Sequence, residues 1–305
     1  MKNLQTYLIL IGVMVAWGLN VPTLKILVSH VMPVTITSVR VFSAGLFVFL
    51  VLAIMKKVRI PTKKEWKYII FGGLLNVVCH HYFLSIGLRN TSATNGGLIL
   101  GSGPILTAIM ATIILRQKPT RMKAIGFILG GVGVYLTILS SGNGFSGLSM
   151  GDVSVFLSIV TQALSFIIIS KAAKTLDPRL LTGYMLVFGS IILFIISLVK
   201  EPGALATMND LPPSIWGAFF ASGLIATALG HMMYNYSISI VGAAEAAIFL
   251  NLNTFFSLVG SALLLGESIT AHHILGLVFI VSGVLFGSGT LEELIYRRRR
   301  TAIGK

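Results

Sequence analysis

The sequence predicts an all-α integral membrane protein: ten transmembrane helices forming two inverted five-helix repeats. Three observations carry that expectation. They are a composition too apolar for a water-facing surface, ten apolar runs of membrane-spanning length, and a repeat at half the chain length. Of 305 residues, 55% are hydrophobic and 10% charged, with mean hydropathy +0.91. A soluble domain carries roughly 25% charged residues. Nine acidic and 23 basic side chains cannot cover a surface of this size. The same scarcity sets aside a nucleic-acid partner, although the net charge is +14. One cysteine, Cys79, allows no disulfide within the chain.

A membrane helix needs about 20 apolar residues. Such runs fall at 7–28, 36–55, 68–87, 94–115, 124–140, 152–170, 180–199, 215–235, 244–265 and 273–290. They do not alternate strictly, so they read as helices and not as barrel strands. The first is expected to be an uncleaved span, because no small-x-small site stands out after it. Basic residues alternate between loops. Nineteen, including Lys2, the Lys56–Lys67 group, Arg116–Lys123, Lys171–Arg179 and Arg297–Arg300, fall on one side. Only Arg89 and Lys200 fall on the other. The positive-inside rule then predicts a multi-pass protein of the plasma membrane with both termini cytoplasmic, consistent with ten spans.

Shifting the sequence by 150 residues aligns 66–136 with 216–286 without a gap. Trp66 meets Trp216, His81 meets His231, Thr120 meets Thr270, Gly126 meets Gly276, and Gly133-Val134 meets Gly283-Val284. Five spans separate the copies, so equivalent helices cross in opposite directions. The expected division is 1–145, 146–290 and a basic cytoplasmic tail, 291–305. Inverted repeats belong to secondary transporters working by alternating access.

Several stretches carry a family resemblance. They are Ala16-Trp17-Gly18-Leu19-Asn20, Gly87-Leu88-Arg89-Asn90-Thr91-Ser92-Ala93, Gly103-Pro104 and Leu265-Gly266-Glu267-Ser268-Ile269-Thr270, followed by Gly276 and Gly283. With these the chain resembles the EamA family of the drug/metabolite transporter superfamily, the ten-span drug/metabolite exporters. The resemblance covers nearly the whole chain. It implies two EamA-like repeats and export of a small molecule, without naming a substrate. Two departures stand out. Arg116-Gln117 replaces the Gly-Glu pair in the first repeat. Asn253-Thr254 replaces Gly103-Pro104 in the second, so a kink expected in span four need not recur in span nine.

Polar groups within spans usually face a cavity or a helix partner. Thr227, His231 and Asn235 stand at i, i+4 and i+8 beside Tyr234, and His81 and Ser85 are the repeat equivalents of His231 and Asn235. Ser158, Thr161, Gln162 and Ser165 make a second stripe. Trp17 and Asn20 share a face of span one, which Pro22 is expected to loosen. The candidate substrate contacts are therefore Trp17, Asn20, His81, Asn95, Gln162, His231, Tyr234, Asn235 and Asn251. They suit small amphipathic or zwitterionic molecules such as amino acids. The alternative for each is an interhelical hydrogen bond. His80-His81 is not expected to hold metal, since neighbouring helical residues point about 100° apart and no carboxylate or Cys cluster completes a site.

Proton coupling would use Glu245, or else His81 or His231; Glu245 at a cytoplasmic helix start is the plainer reading. Glu267 is expected to pin an external loop. Arg40 either pairs with an acid, meets an anionic substrate, or snorkels outward. Gly126-x-x-x-Gly130 and Gly283-x-x-x-Gly287 pack helices within one protomer or join a homodimer. No cofactor is expected. The competing reading is an intramembrane enzyme using buried His and Ser. It lacks an aspartyl dyad, because Asp152, Asp177 and Asp210 lie at span edges or in loops. No ATP-binding G-x-x-x-x-G-K-[ST] loop is present.

Overall fold

The computed structural model describes residues 2–114, 120–139, 149–242, 246 and 249–287. Among these residues the regular elements are all helical, with no strand. They are α1 (Lys2–His30), α2 (Pro33–Ile54), α3 (Lys63–Gly72), α4 (His80–Asn90), α5 (Ala93–Leu100), α6 (Gly103–Ile114) and α7 (Arg121–Leu139). Then come α8 (Met150–Ala172), α9 (Pro178–Lys200), α10 (Pro213–Phe220), α11 (His231–Val241), α12 (Leu250–Leu265) and α13 (Ala271–Gly287). Two π-helical segments, Gly73–Cys79 and Ala221–Gly230, join α3 to α4 and α10 to α11.

Six rods are long and apolar enough to cross a membrane: Leu4–His30, Pro33–Ile54, Lys63–Asn90, Met150–Ala172, Pro178–Lys200 and Pro213–Val241. Ala124–Leu136, Leu250–Leu265 and Ala271–Phe286 are shorter apolar helices. Apolar side chains such as Ile54, Leu263 and Val199 stay exposed on the outside of the bundle, as a lipid-facing surface requires.

Prolines open α2, α9 and α10 in their first turns, where a missing N–H costs nothing. Thr62 and Glu65 form a capping box on α3. Other helix starts are capped by carboxylates from far along the chain. Glu267 accepts from the backbone N–H groups of Ala93 and Thr94 at 2.9 and 2.8 Å. Glu201 accepts from those of Val34 and Thr35 at 3.0 and 2.7 Å, and from the Thr35 hydroxyl at 2.7 Å. Each anion thus sits at the positive end of a helix and satisfies orphan donors. Glu267 therefore caps the start of α5; the matching role of Glu201 was not legible, because Glu201 lies in no motif.

Span four breaks where the sequence placed a kink. α5 ends at Leu100 and α6 starts at Gly103. Pro104 has no N–H to give, and its ring excludes the Leu100 carbonyl from the helix ladder. α12, with Asn253-Thr254 at the equivalent position, runs unbroken. Pro22 departs from expectation: α1 is continuous through it. Its turn is packed against α12. A Cβ on Gly18 would lie 2.4 Å from Phe256 Cβ, and one on Gly260 would lie 3.1 Å from Pro22 Cγ. α1 and α12 are therefore in contact along the proline turn, and such neighbours let a buried helix tolerate the lost bond.

The glycine faces are used inside the protomer. α7 and α13 pack together so closely that a Cβ on Gly133 would meet the Gly276 carbonyl at 2.8 Å. One on Gly283 would meet the Gly130 nitrogen at 2.6 Å and the Gly126 carbonyl at 2.9 Å. A homodimer would need another surface.

Candidate functional site

A small cavity of about 50 Å³ lies among the helices of both halves of the chain. Its polar lining is Trp17, Asn20, His80, His81, Gln162, Thr227, His231 and Asn253, and Val21, Leu24, Leu84, Leu100, Ile159, Ala226 and Leu250 complete the wall. Five of the predicted contacts, Trp17, Asn20, His81, Gln162 and His231, are brought together here.

The indole of Trp17 is held by the second π segment. Its Nε1–H donates to the Ala226 carbonyl at 2.7 Å. π geometry shifts backbone carbonyls off the regular ladder, which is why such bulges gather at functional sites. Gly230 makes room: a Cβ there would lie 2.4 Å from Trp17 Nε1. Trp17 then stacks at 4.9 Å on His231 and 5.0 Å on Tyr234. His231 meets His81 at 5.7 Å, and His81 meets His80 at 4.9 Å. Tyr234, fully buried, forms a second layer behind Trp17 and packs on Phe166 at 5.3 Å.

His80 is the best-anchored member. Its Nδ1 lies 3.0 Å from the Ser158 carbonyl, which can only accept, so Nδ1 carries the proton. Its Nε2 then accepts from Gln162 Nε2 at 3.1 Å. The hydroxyl of Ser158 points elsewhere, to the Val155 carbonyl at 2.7 Å, so no serine–histidine pair forms there. Both ring nitrogens of His81 and of His231 lack hydrogen-bond partners, as do Asn20 Oδ1 and Asn253 Oδ1. The cavity therefore presents imidazole and amide groups between aromatic faces, able to donate or accept. Among the described residues its lining holds no carboxylate, and no group of three metal-ligating side chains occurs.

The other candidates sit elsewhere. Asn235 donates to Thr182 Oγ1 on α9 at 2.9 Å. Asn95 Oδ1 lies 3.0 Å from His273 Nε2, and His273 Nδ1 accepts from the Thr270 backbone N–H, so the histidine donates to the amide. Asn251 is not among the lining residues. Glu245 and the tail 291–305 lie outside the described residues. The serine and threonine stripe of α8 is satisfied locally: Thr161 and Ser165 donate to the carbonyls three residues back, a habit of hydroxyls within helices. His80, Thr227 and Asn253 join the lining although they were not among the nine candidate contacts. For Thr227 the signal was its helical spacing to His231. His80 had been considered only as a metal ligand.

Arg40 does not snorkel outward, and it forms no ion pair with an acid among the described residues. It is 1% exposed, on the inner face of α2. Its Nη1 donates to the hydroxyl of Thr227, which in turn donates to the Ser222 carbonyl at 2.9 Å.

Comparison with known proteins gives a consistent result. The model of the "EamA-like transporter family" matches residues 4–139 and again 149–288. The chain is 28% identical to "Uncharacterized transporter YyaM" of Bacillus subtilis, over 96% of each chain. It is 25% identical to an uncharacterized transporter of Archaeoglobus fulgidus, covering 92% of this chain and 98% of that one. A chloroplastic WAT1-related protein of Arabidopsis thaliana is 25% identical over 88% of this chain and 66% of its own. One solved crystal structure superposes with TM-score 0.65, covering 95% of this chain and 98% of that one, at 16% identity. That last likeness concerns the fold alone.

Proposed function

Because this chain belongs to the EamA-like transporter family, we propose that it is a secondary-active exporter of small amphipathic metabolites, such as amino acids or related compounds. In this reading two inverted five-helix halves, ten spans in all, rock about the central cavity. Both termini face the cytoplasm and the protein resides in the plasma membrane, as the one-sided basic loops favour. Substrate contacts are assigned to Trp17, Asn20, His81, Gln162 and His231, with Tyr234 as backing. His81 or His231 would carry a coupled proton.

The observation that carries the reading is the meeting of the two halves at this cavity. Trp17, Asn20, His80 and His81 come from the first half, and Gln162, Thr227, His231 and Asn253 from the second. His81 and His231, equivalent under the 150-residue offset, face each other at 5.7 Å. Further support for two related halves comes from the backbone. The first π segment, Gly73–Cys79, shifted by 150 falls within the second, Ala221–Gly230. The α7–α13 seam is also exchanged by the offset: Gly133 touches Gly276 and Ile280 as Gly283 touches Gly126 and Gly130. Midplane sites at a repeat interface, formed beside irregular helices, suit alternating access. The enzyme alternative gains nothing from relatives named as transporters.

The test is flux. Purified protein in liposomes should move one or more members of a metabolite panel down an imposed gradient. His231→Ala and Gln162→Ala should change affinity or rate while insertion is retained. Normal transport by both variants would remove the cavity assignment, and no flux for any panel member would remove the transporter reading.

A further inference from the structure

The cavity explains the aromatic and imidazole groups but not the guanidinium beside it. Arg40 reaches the middle of the bundle: its partner Thr227 is the midpoint of the Pro213–Val241 rod and lines the cavity. A permanently charged group here is expensive and persists where it serves a pathway or ligand. Yet Nε and Nη2 are buried without hydrogen-bond partners, and no carboxylate among the described residues forms an ion pair with Arg40.

The arrangement of the bare atoms is informative. Nη1 is engaged with Thr227. The unengaged Nε and Nη2 point their hydrogens along one edge, the fork that matches a carboxylate bidentately. Two more donors stand with it. Thr37, one turn before Arg40 on α2, has a buried hydroxyl with no partner. Ser222, likewise buried and unpartnered, adjoins Gly223, where a Cβ would lie 3.4 Å from Arg40 Cγ. Thr227, the partner of Arg40 Nη1, and its neighbour Ala226 both line the cavity and carry small side chains. Two unpartnered hydroxyls thus lie on the stretches of chain that carry or adjoin Arg40, and no carboxylate among the described residues pairs with its bare guanidinium edge.

We propose that Arg40, with Thr37 and Ser222, is the anion anchor of the transported molecule, and that this molecule presents a carboxylate to the Nε–Nη2 edge while its apolar part lies against Trp17. The inference rests on the transporter reading and narrows its substrate class to carboxylates. One guanidinium balances one negative charge. A phosphate dianion would leave charge uncompensated, because among the described residues no Lys or Arg lines the cavity to add to the Arg40 charge beside it.

Matched acid and amide pairs test this. Purified protein would be melted with L-leucine against L-leucinamide and 3-phenylpropionate against 3-phenylpropionamide, and with inorganic phosphate. The same probes would compete for flux in liposomes. The acids should protect and compete at least tenfold better than their amides. Arg40→Gln should abolish that preference and Arg40→Lys keep part of it. Should Arg40→Gln fail to fold, Ser222→Ala, which retains the guanidinium, should still weaken acid binding several-fold. Equal action of acid and amide on the native protein overturns the inference, as does protection by phosphate alone, by no acid in the series, or an acid preference unchanged in every folded variant. Flux without acid preference leaves the transporter reading standing, whereas no gradient-driven flux for any probe removes that reading itself.

Discussion

Replacing Gly230 by alanine should disturb the cavity through one atom. The new methyl would sit 2.4 Å from Trp17 Nε1, 3.1 Å from Cδ1 and 3.4 Å from Cε2. Ordinary carbon contacts begin near 3.5 Å, so the indole must retreat by about 1 Å. Its bond to the Ala226 carbonyl, now 2.7 Å, would then exceed hydrogen-bonding distance. Losing that bond costs about 0.5–1.5 kcal/mol, and overpacking adds about 1–3 kcal/mol. We expect about 2–4 kcal/mol of destabilisation and a weakened substrate affinity, since the stacked His231 and Tyr234 must follow. The assay is a double-mutant cycle in unfolding and flux, with Gly230→Ala made in the native and the Trp17→Phe backgrounds. Phenylalanine has no Nε1, so the alanine should cost less than about 1 kcal/mol there. Costs that add to within about 0.5 kcal/mol, the range for independent sites, would refute the clash as the cause.

Other perturbations separate packing from capping. Gly283→Ala forces a methyl against the Gly130 backbone at 2.6 Å, which no rotamer can relieve, and should cost about 2–3 kcal/mol. Gly131→Ala, which meets nothing within 4 Å, should be neutral or raise the melting temperature through helix propensity. Glu267→Gln keeps one acceptor for the α5 terminus but loses its charge, and thermal melting should show a loss of about 1–2 kcal/mol. Asp177 caps α9 from a loop. Burial alone would raise its carboxyl, but bonds from the Arg179 side chain and backbone outweigh that and hold it below the usual value. Its contribution is therefore present above the ordinary Asp range, near 3.9, and is lost as pH falls through the depressed value. Asp177→Asn should flatten that acid limb in melting curves recorded against pH.

Particular residues show how far the sequence could be read. Long apolar runs foretold the six spanning rods, because the bilayer rewards the same property at every position of a span. Pro104 foretold the break before α6, because a missing N–H acts locally. The polar face of Thr227, His231 and Asn235 was read too broadly. At 100° per residue, eight residues carry a side chain about 80° around the helix. Asn235 accordingly leaves the cavity and meets Thr182 on α9. His80 was undervalued because its role depends on Ser158 and Gln162, residues about 80 positions away whose proximity no local pattern encodes. Pro22 misled for a related reason: Gly18 and Gly260 bring α1 close against α12, and the helix runs on unbroken through the proline.

The sequence alone determined that this protein is helical, apolar and built from internally related stretches, and it pointed to the transporter family. Those properties follow from hydropathy, charge between spans and local chain chemistry, which add along the chain. Only the tertiary structure decided which polar side chains meet. It turned the glycine faces inward to join α7 and α13, set His81 against His231, and left the Arg40 fork bare beside the cavity. Whether a buried donor finds its acceptor depends on the neighbouring helix that packs against it, and that choice is made in three dimensions.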